Sequence, residues 1–152
     1  MTEGPDAPAP PPPPKPRVRH RLTPHEAKWA PLAHLAAVPA MLLGMGFLGP
    51  LLLGRYRSGG SPFVRHHVVQ AVNFNVTVCL AGSAAVLVMA FGASGGGAPA
   101  DGAPPDPQWV PATALMVLLV VIIYWFLFLV RAAMGAREGE WYRYPPSLPV
   151  MR

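Results

Sequence analysis

Three long stretches of the chain, residues 30–54, 66–100 and 107–130, contain no Asp, Glu, Lys or Arg. Each is mostly apolar. A helix needs roughly 20 consecutive apolar residues to cross the hydrocarbon core of a bilayer. The pattern predicts an all-α integral membrane protein with about three transmembrane helices, near residues 29–53, 61–91 and 110–134. Residues 1–28 read as a disordered, proline-rich and basic tail, and 29–151 as the membrane domain.

Composition agrees. The 152 residues are 52% hydrophobic and only 12% charged, whereas soluble domains carry about 25% charged residues. The net charge of +5 would point to nucleic acid in a soluble protein. No nucleic-acid motif accompanies it, so nucleic acid is excluded as a partner. The basic residues read instead as flanks of membrane segments, attracted to anionic lipid headgroups. The single Cys79 rules out an intrachain disulfide and reads as an inert thiol in apolar surroundings. The polar, proline-rich start does not resemble a cleavable signal peptide, so the first spanning helix is expected to act as an uncleaved signal.

Residues 10–14 are all proline, a run that favours extended polyproline II and builds no core. Arg17, Arg19, Arg21 and Lys28 follow, with His20 and His25 between them. Thr23-Pro24 fits a helix N-cap with proline in the first turn. The first apolar stretch contains Pro31, Pro39 and Pro50 with Gly44, Gly46 and Gly49. These residues predict a helix that is kinked or re-entrant. Ala36, Ala40 and Gly44 repeat every fourth residue, a small-residue face that allows close helix approach. Ala81 and Ala85 make a second such pair. Ser61-Pro62 opens the second helix. The third runs over residues 111–130, with Trp109 at one boundary and Arg131 at the other, and its continuous apolar core has no breaker inside.

All 12 Lys and Arg residues lie in the N-terminal tail, between residues 55 and 65, or from Arg131 onward. The positive-inside rule puts the loop at 92–107 outside and the C-terminus in the cytoplasm of a multi-pass protein. A first segment that spans would put the N-terminal tail outside. A re-entrant one would leave every cationic residue cytoplasmic. The side of the N-terminus therefore stays open. Richness in Ala, Gly, Pro and Arg points to a bacterial plasma membrane.

Polar residues inside the apolar stretches are the candidates for chemistry. His66, Gln70, Asn73 and Thr77 are spaced by four, three and four residues, and share one face of a helix. Such a stripe faces protein or a wet cavity rather than lipid. It suits interhelical hydrogen bonding, or the lining of a proton or ion path. Asn75 lies on the opposite face, positioned for a second helix or chain. His66 and His67 point about 100° apart on a helix, so one ion rarely takes both. No further ligands stand at metal-site spacing, and no metal or cofactor is expected. His34 is placed to approach the interfacial end of the second helix. None of the 7 acidic residues lies in an apolar stretch, and no catalytic constellation is readable, so no enzyme is expected. Glu138 and Glu140 read as solvated counter-charges to Arg137 and Arg143. Trp141, Tyr142 and Tyr144 read as an interfacial aromatic anchor.

Several of these residues together resemble a known family. They are Trp29 with His34; Ser61, Pro62, Phe63, Val64, Arg65, His66 and His67, followed by Gln70, Ala71, Val72, Asn73 and Phe74; and Gly139, Glu140, Trp141, Tyr142, Arg143, Tyr144 and Pro145 near the end. The pattern resembles the Tic-twenty-like bacterial membrane proteins, so called for a distant similarity to a chloroplast inner-envelope import subunit. The resemblance implies an α-helical inner-membrane protein and no particular biochemical activity. The expected role is a non-enzymatic helix-packing or assembly component, joined to copies of itself or to other membrane proteins. The alternative is a subunit of an oligomeric translocation channel or transporter.

Overall fold

The computed structural model describes residues 19–94, 109–145 and 147–151. The expected proline-rich run and the expected outer loop from residue 95 onward lie outside these. Every regular element among the described residues is a helix: α1 (Pro24–Leu35), α2 (Ala37–Met41), α3 (Leu48–Arg57), α4 (Pro62–Ser94) and α5 (Trp109–Arg137). Residues 140–145 and 147–151 follow without regular structure.

The first apolar stretch is not one helix. Thr23 caps α1 in a reciprocal capping box with Glu26, with a proline in the first turn. Pro39 has no N–H for the carbonyl of Leu35, and the helix breaks at Ala36. A turn over residues 42–47 then reverses the chain into α3. Pro50 sits in the first turn of α3, where a backbone N–H has no intrahelical partner anyway. The reversal is close. A Cβ on Gly49 would run into the carbonyl oxygen of Ala36, so only glycine lets α3 pack on the α1–α2 junction.

Both ends of this hairpin lie together. The Arg57 guanidinium stands 5.3 Å from the Trp29 ring centre, and the Ser61 hydroxyl donates to Glu26 Oε1 at 2.7 Å. The tip reaches Cys79, whose Sγ is 3.6 Å from Gly44 O. At 1.5 Å per residue, Cys79 is roughly 26 Å along an α4 that is roughly 50 Å long. The hairpin thus covers about the first half of α4.

Among the described residues, α4 and α5 are the two helices long and apolar enough to cross a membrane, with mean hydropathies of 1.8 over Pro62–Ala90 and 2.6 over Leu115–Arg137. Only 28% and 17% of their most apolar windows are buried. The core helix of a soluble protein would be mostly covered. Here Leu80, Val86, Leu87, Leu115, Leu119 and Ile123 face outward. The expected third crossing finds no comparable helix.

α5 ends in a Schellman motif: Glu140 N–H donates to Gly135 O and Gly139 N–H to Ala136 O. Gly139 has φ 76° and lies against the His20 backbone, which rules out a side chain on both counts. The chain then turns back into the bundle.

The core forms two clusters. One joins Ala30 and Ala33 of α1, Phe63, Val64, Val68 and Val72 of α4, and Ala136 of α5. The other joins Ala37, Phe74, Val78, Trp125, Leu129, Ala132 and Tyr144. The small residues that bury α1 and α2 are therefore Ala30, Ala33 and Ala37, not the expected face. Ala36 and Ala40 are half-buried, Gly44 is exposed in the turn, and Ala81 is exposed on α4. The break at Ala36 and the turn at Gly44 interrupt the helix on which that four-residue spacing depends.

Candidate functional site

The polar stripe of α4 meets the C-terminal segment of its own chain. His66 Nε2 donates to Tyr142 O at 3.0 Å. Asn73 makes a two-way pair with Met151, its Nδ2 donating to the carbonyl at 3.1 Å and its Oδ1 accepting from the N–H at 2.8 Å. Thr77 Oγ1 accepts from Leu148 N–H at 2.9 Å and donates to Asn73 O at 2.8 Å. Gln70 is half-buried on the same face. Irregular backbone packed among apolar helices needs a partner for every N–H and C=O it hides. The stripe supplies such partners. On the other face, Asn75 Nδ2 donates to Ala71 O at 2.8 Å, and Oδ1 accepts from Trp125 Nε1 at 2.9 Å. That pair ties α4 to α5.

A second polar group lies deeper. His34 Nε2 and His67 Nδ1 are 2.9 Å apart, and the Tyr144 hydroxyl is 3.0 Å from His34 Nδ1. His34 and His67 are fully buried, and Tyr144 is 6% exposed. Phe74 stacks on the Tyr144 ring at 3.9 Å, and Phe63 meets the His67 ring edge-on at 4.5 Å. One proton arrangement suits the whole chain of atoms. Tyr144 donates to His34 Nδ1, and His34 Nε2–H donates to His67 Nδ1. That leaves His67 Nε2–H as a buried donor without a well-formed hydrogen bond, facing the Glu140 backbone. Burial first, and then the like charge His67 and His66 would add, hold His34 well below the usual histidine range. Burial pushes the Tyr144 hydroxyl upward. His34 and the Tyr144 hydroxyl are therefore both neutral at physiological pH.

Glu26 forms a third node at the basic end. Its Oε2 accepts from the Thr23 backbone and hydroxyl at 2.9 and 3.0 Å and lies 3.2 Å from His20 Nε2. The Thr23 backbone N–H and the Ser61 hydroxyl, in that order, hold its carboxyl down at about 2. Ser61 also accepts from Val64 N–H and so caps α4. One carboxylate thus pins the starts of α1 and α4 together. Glu138, nearby, pairs with Arg19 at 3.0 Å.

The sequence-predicted residues divide accordingly. His66, Asn73 and Thr77 face the C-terminal segment. His34 joins His67 and Tyr144. Phe63 and Phe74 pack against the relay, and Trp29 packs half-buried on the first core cluster. Pro62 and Pro145 are exposed, and Glu140 is half-buried. Tyr144 is a core residue, not an interfacial anchor, because the reversal at Gly139 carries it inward. The sequence pattern marks His66 rather than His67, yet the His67 ring, 33 residues from His34, meets the His34 ring edge to edge inside the bundle. A buried polar face is the only sequence signal for it. Glu26 was readable from the Thr23 capping box. No group of three potential metal-ligating His, Cys, Asp or Glu side chains occurs among the described residues. The relay holds protons between its own nitrogens and hydroxyl, closed to solutes.

A family model described as the magnetosome magnetite crystal formation protein family, MamF/MmsF, matches residues 25–151. No curated protein and no solved structure matches the chain. The match overturns the Tic-twenty-like assignment, since it is to a different family. The motifs behind that assignment do structural work that many helical bundles need. Ser61 caps a helix, Phe63 and Phe74 fill the core, and Gly139 ends α5.

Proposed function

The chain belongs to the magnetosome magnetite crystal formation family, and from that premise we propose that it is a multi-pass membrane protein serving crystal formation as a non-enzymatic assembly component. One observation carries the reading. The polar face of α4 is covered by the chain's own C-terminal segment, while the outward faces of α4 and α5 are apolar. Such a molecule offers lipid and other membrane proteins a surface to pack on, and leaves a solute no open polar path between its helices. The channel alternative needs the stripe as a lining, and the covering segment argues against it.

In this reading α4 and α5 cross the bilayer, and α1 to α3 enter and leave from one side. Supporting this, the start of α1, the end of α3, the start of α4 and the end of α5 lie at one end of the bundle. Arg19, Lys28, Arg55, Arg57, Arg65 and Arg137 gather there, so the positive-inside rule makes that end cytoplasmic. A half-depth hairpin removes the conflict a full crossing would create.

Photo-crosslinkers at Leu87 and Leu119, on the outward faces, test the assembly role in native membranes. Capture of a second copy or of another membrane protein is expected. Capture of lipid alone overturns it. The link to crystal formation is tested in a magnetite-forming bacterium lacking its own family member. Expression of this chain should move crystal dimensions toward wild type, as read by electron microscopy.

A further inference from the structure

The surface between α3 and α4 carries a hollow of about 260 Å³ at the basic end of the bundle. Its floor includes Leu51, Val69 and Met151, and its rim carries Arg55, Ser58 and Arg65. Both arginines are exposed. Neither has a carboxylate partner among the described residues, and neither α3 nor α4 contains an acidic residue. A second hollow of about 340 Å³, bounded by Gly60 and His66, shares Arg65 and Val69 with the first.

We propose that this hollow binds one anionic phospholipid, with the phosphate held between Arg55 and Arg65 and an acyl chain lying on Leu51 and Val69. The inference rests on the reading that α4 crosses a bilayer from its basic end. Three features select a lipid over a free anion. The charge is uncompensated and paired across the rim. The Ser58 hydroxyl adds a donor for a phosphate oxygen or glycerol. The floor is apolar, which a hydrated phosphate cannot use and an acyl chain can. The site also lies along the first two turns of α4 and along α3, the level at which headgroups lie beside a helix that starts at the interface. Arginine suits the task because its planar fork pairs with two phosphate oxygens at once.

The test uses the full chain in nanodiscs of mixed phosphatidylcholine and phosphatidylglycerol, with retained lipids counted by native mass spectrometry. Wild type should retain one phosphatidylglycerol in preference to phosphatidylcholine. From the usual worth of a cationic side chain at a bilayer surface, R55Q/R65Q should cut that preference by about thirtyfold. R19Q/R137Q removes the same charge from the same end and should leave it unchanged. Leu51→Trp keeps both charges but fills the floor, and should also release the lipid. Equal loss in the two arginine pairs overturns the site in favour of diffuse attraction. Full retention in Leu51→Trp, or displacement by excess inorganic phosphate, overturns the lipid in favour of a free anion. A chain that enters nanodiscs without headgroup preference overturns the site alone. One that does not enter overturns the membrane reading with it.

Discussion

His34 and His67 sit 2.9 Å apart, ring nitrogen to ring nitrogen, with neither ring reaching solvent. They come from different helices, α1 and α4, and Tyr144 closes the line from the far end of the chain. Three distant parts of the sequence thus depend on one line of protons.

Acid should destabilise the protein through this group. The folded-state value for His34 lies well below 6.5, while the unfolded chain titrates near that value. The unfolded state therefore binds more protons as pH falls. The stability is fully present above the unfolded value and is lost as pH drops toward the folded one, by about 1.4 kcal/mol per pH unit for one such histidine. Thermal melts in detergent at pH 7.5 and 5.5 read this out at about those pH values. Wild type should melt lower at the acid end, and His34→Gln should show a smaller difference.

Tyr144→Phe keeps the stack on Phe74 and deletes the hydroxyl. It leaves His34 Nδ1 buried without its partner, a loss of about 1–3 kcal/mol. Tyr144→Ala also empties the core position and should cost about 3–5 kcal/mol. Denaturation in detergent should order the two in that sequence. Equal melting of Tyr144→Phe and wild type would mean the hydroxyl is not what holds His34.

Asn73→Leu should release the end of the chain without unfolding the helices. The substitution removes both hydrogen bonds to Met151. Hydrogen exchange at the Leu148 and Met151 amides should speed up severalfold, while α5 amides remain protected. Thr77→Val should speed Leu148 alone.

Gly49→Ala should disrupt the hairpin. The added methyl meets the Ala36 carbonyl, and backbone on both sides must move. Overpacking of this kind costs about 1–3 kcal/mol. Gly60→Ala, at a glycine with nothing within 4 Å, isolates the difference between steric contact and backbone strain. The first should lower the melting temperature and loosen the 42–47 turn in hydrogen exchange; the second should leave that turn protected.

What was legible in the chain follows from how local each signal is. The run through Ile122 and Ile123 is unbroken, so α5 is plain. Ser61-Pro62 marks the start of α4 because capping is decided by adjacent residues. Pro39 and Gly49 announce a break in the first segment, but which way the chain leaves a break is a tertiary matter. The small-residue face was displaced by the same break, since four-residue spacing means nothing across a turn. His66, Asn73 and Thr77 were visible as a polar face. Their partners were not, because main-chain atoms of Tyr142, Leu148 and Met151 carry no residue-specific mark. Tyr144 looked like an anchor for the same reason: only the left-handed turn at Gly139 sends it inward.

Among the described residues, the hairpin and the returning C-terminal segment crowd one half of the bundle and leave the other to α4 and α5. Embedded in lipid, such a taper takes more area from one leaflet than from the other.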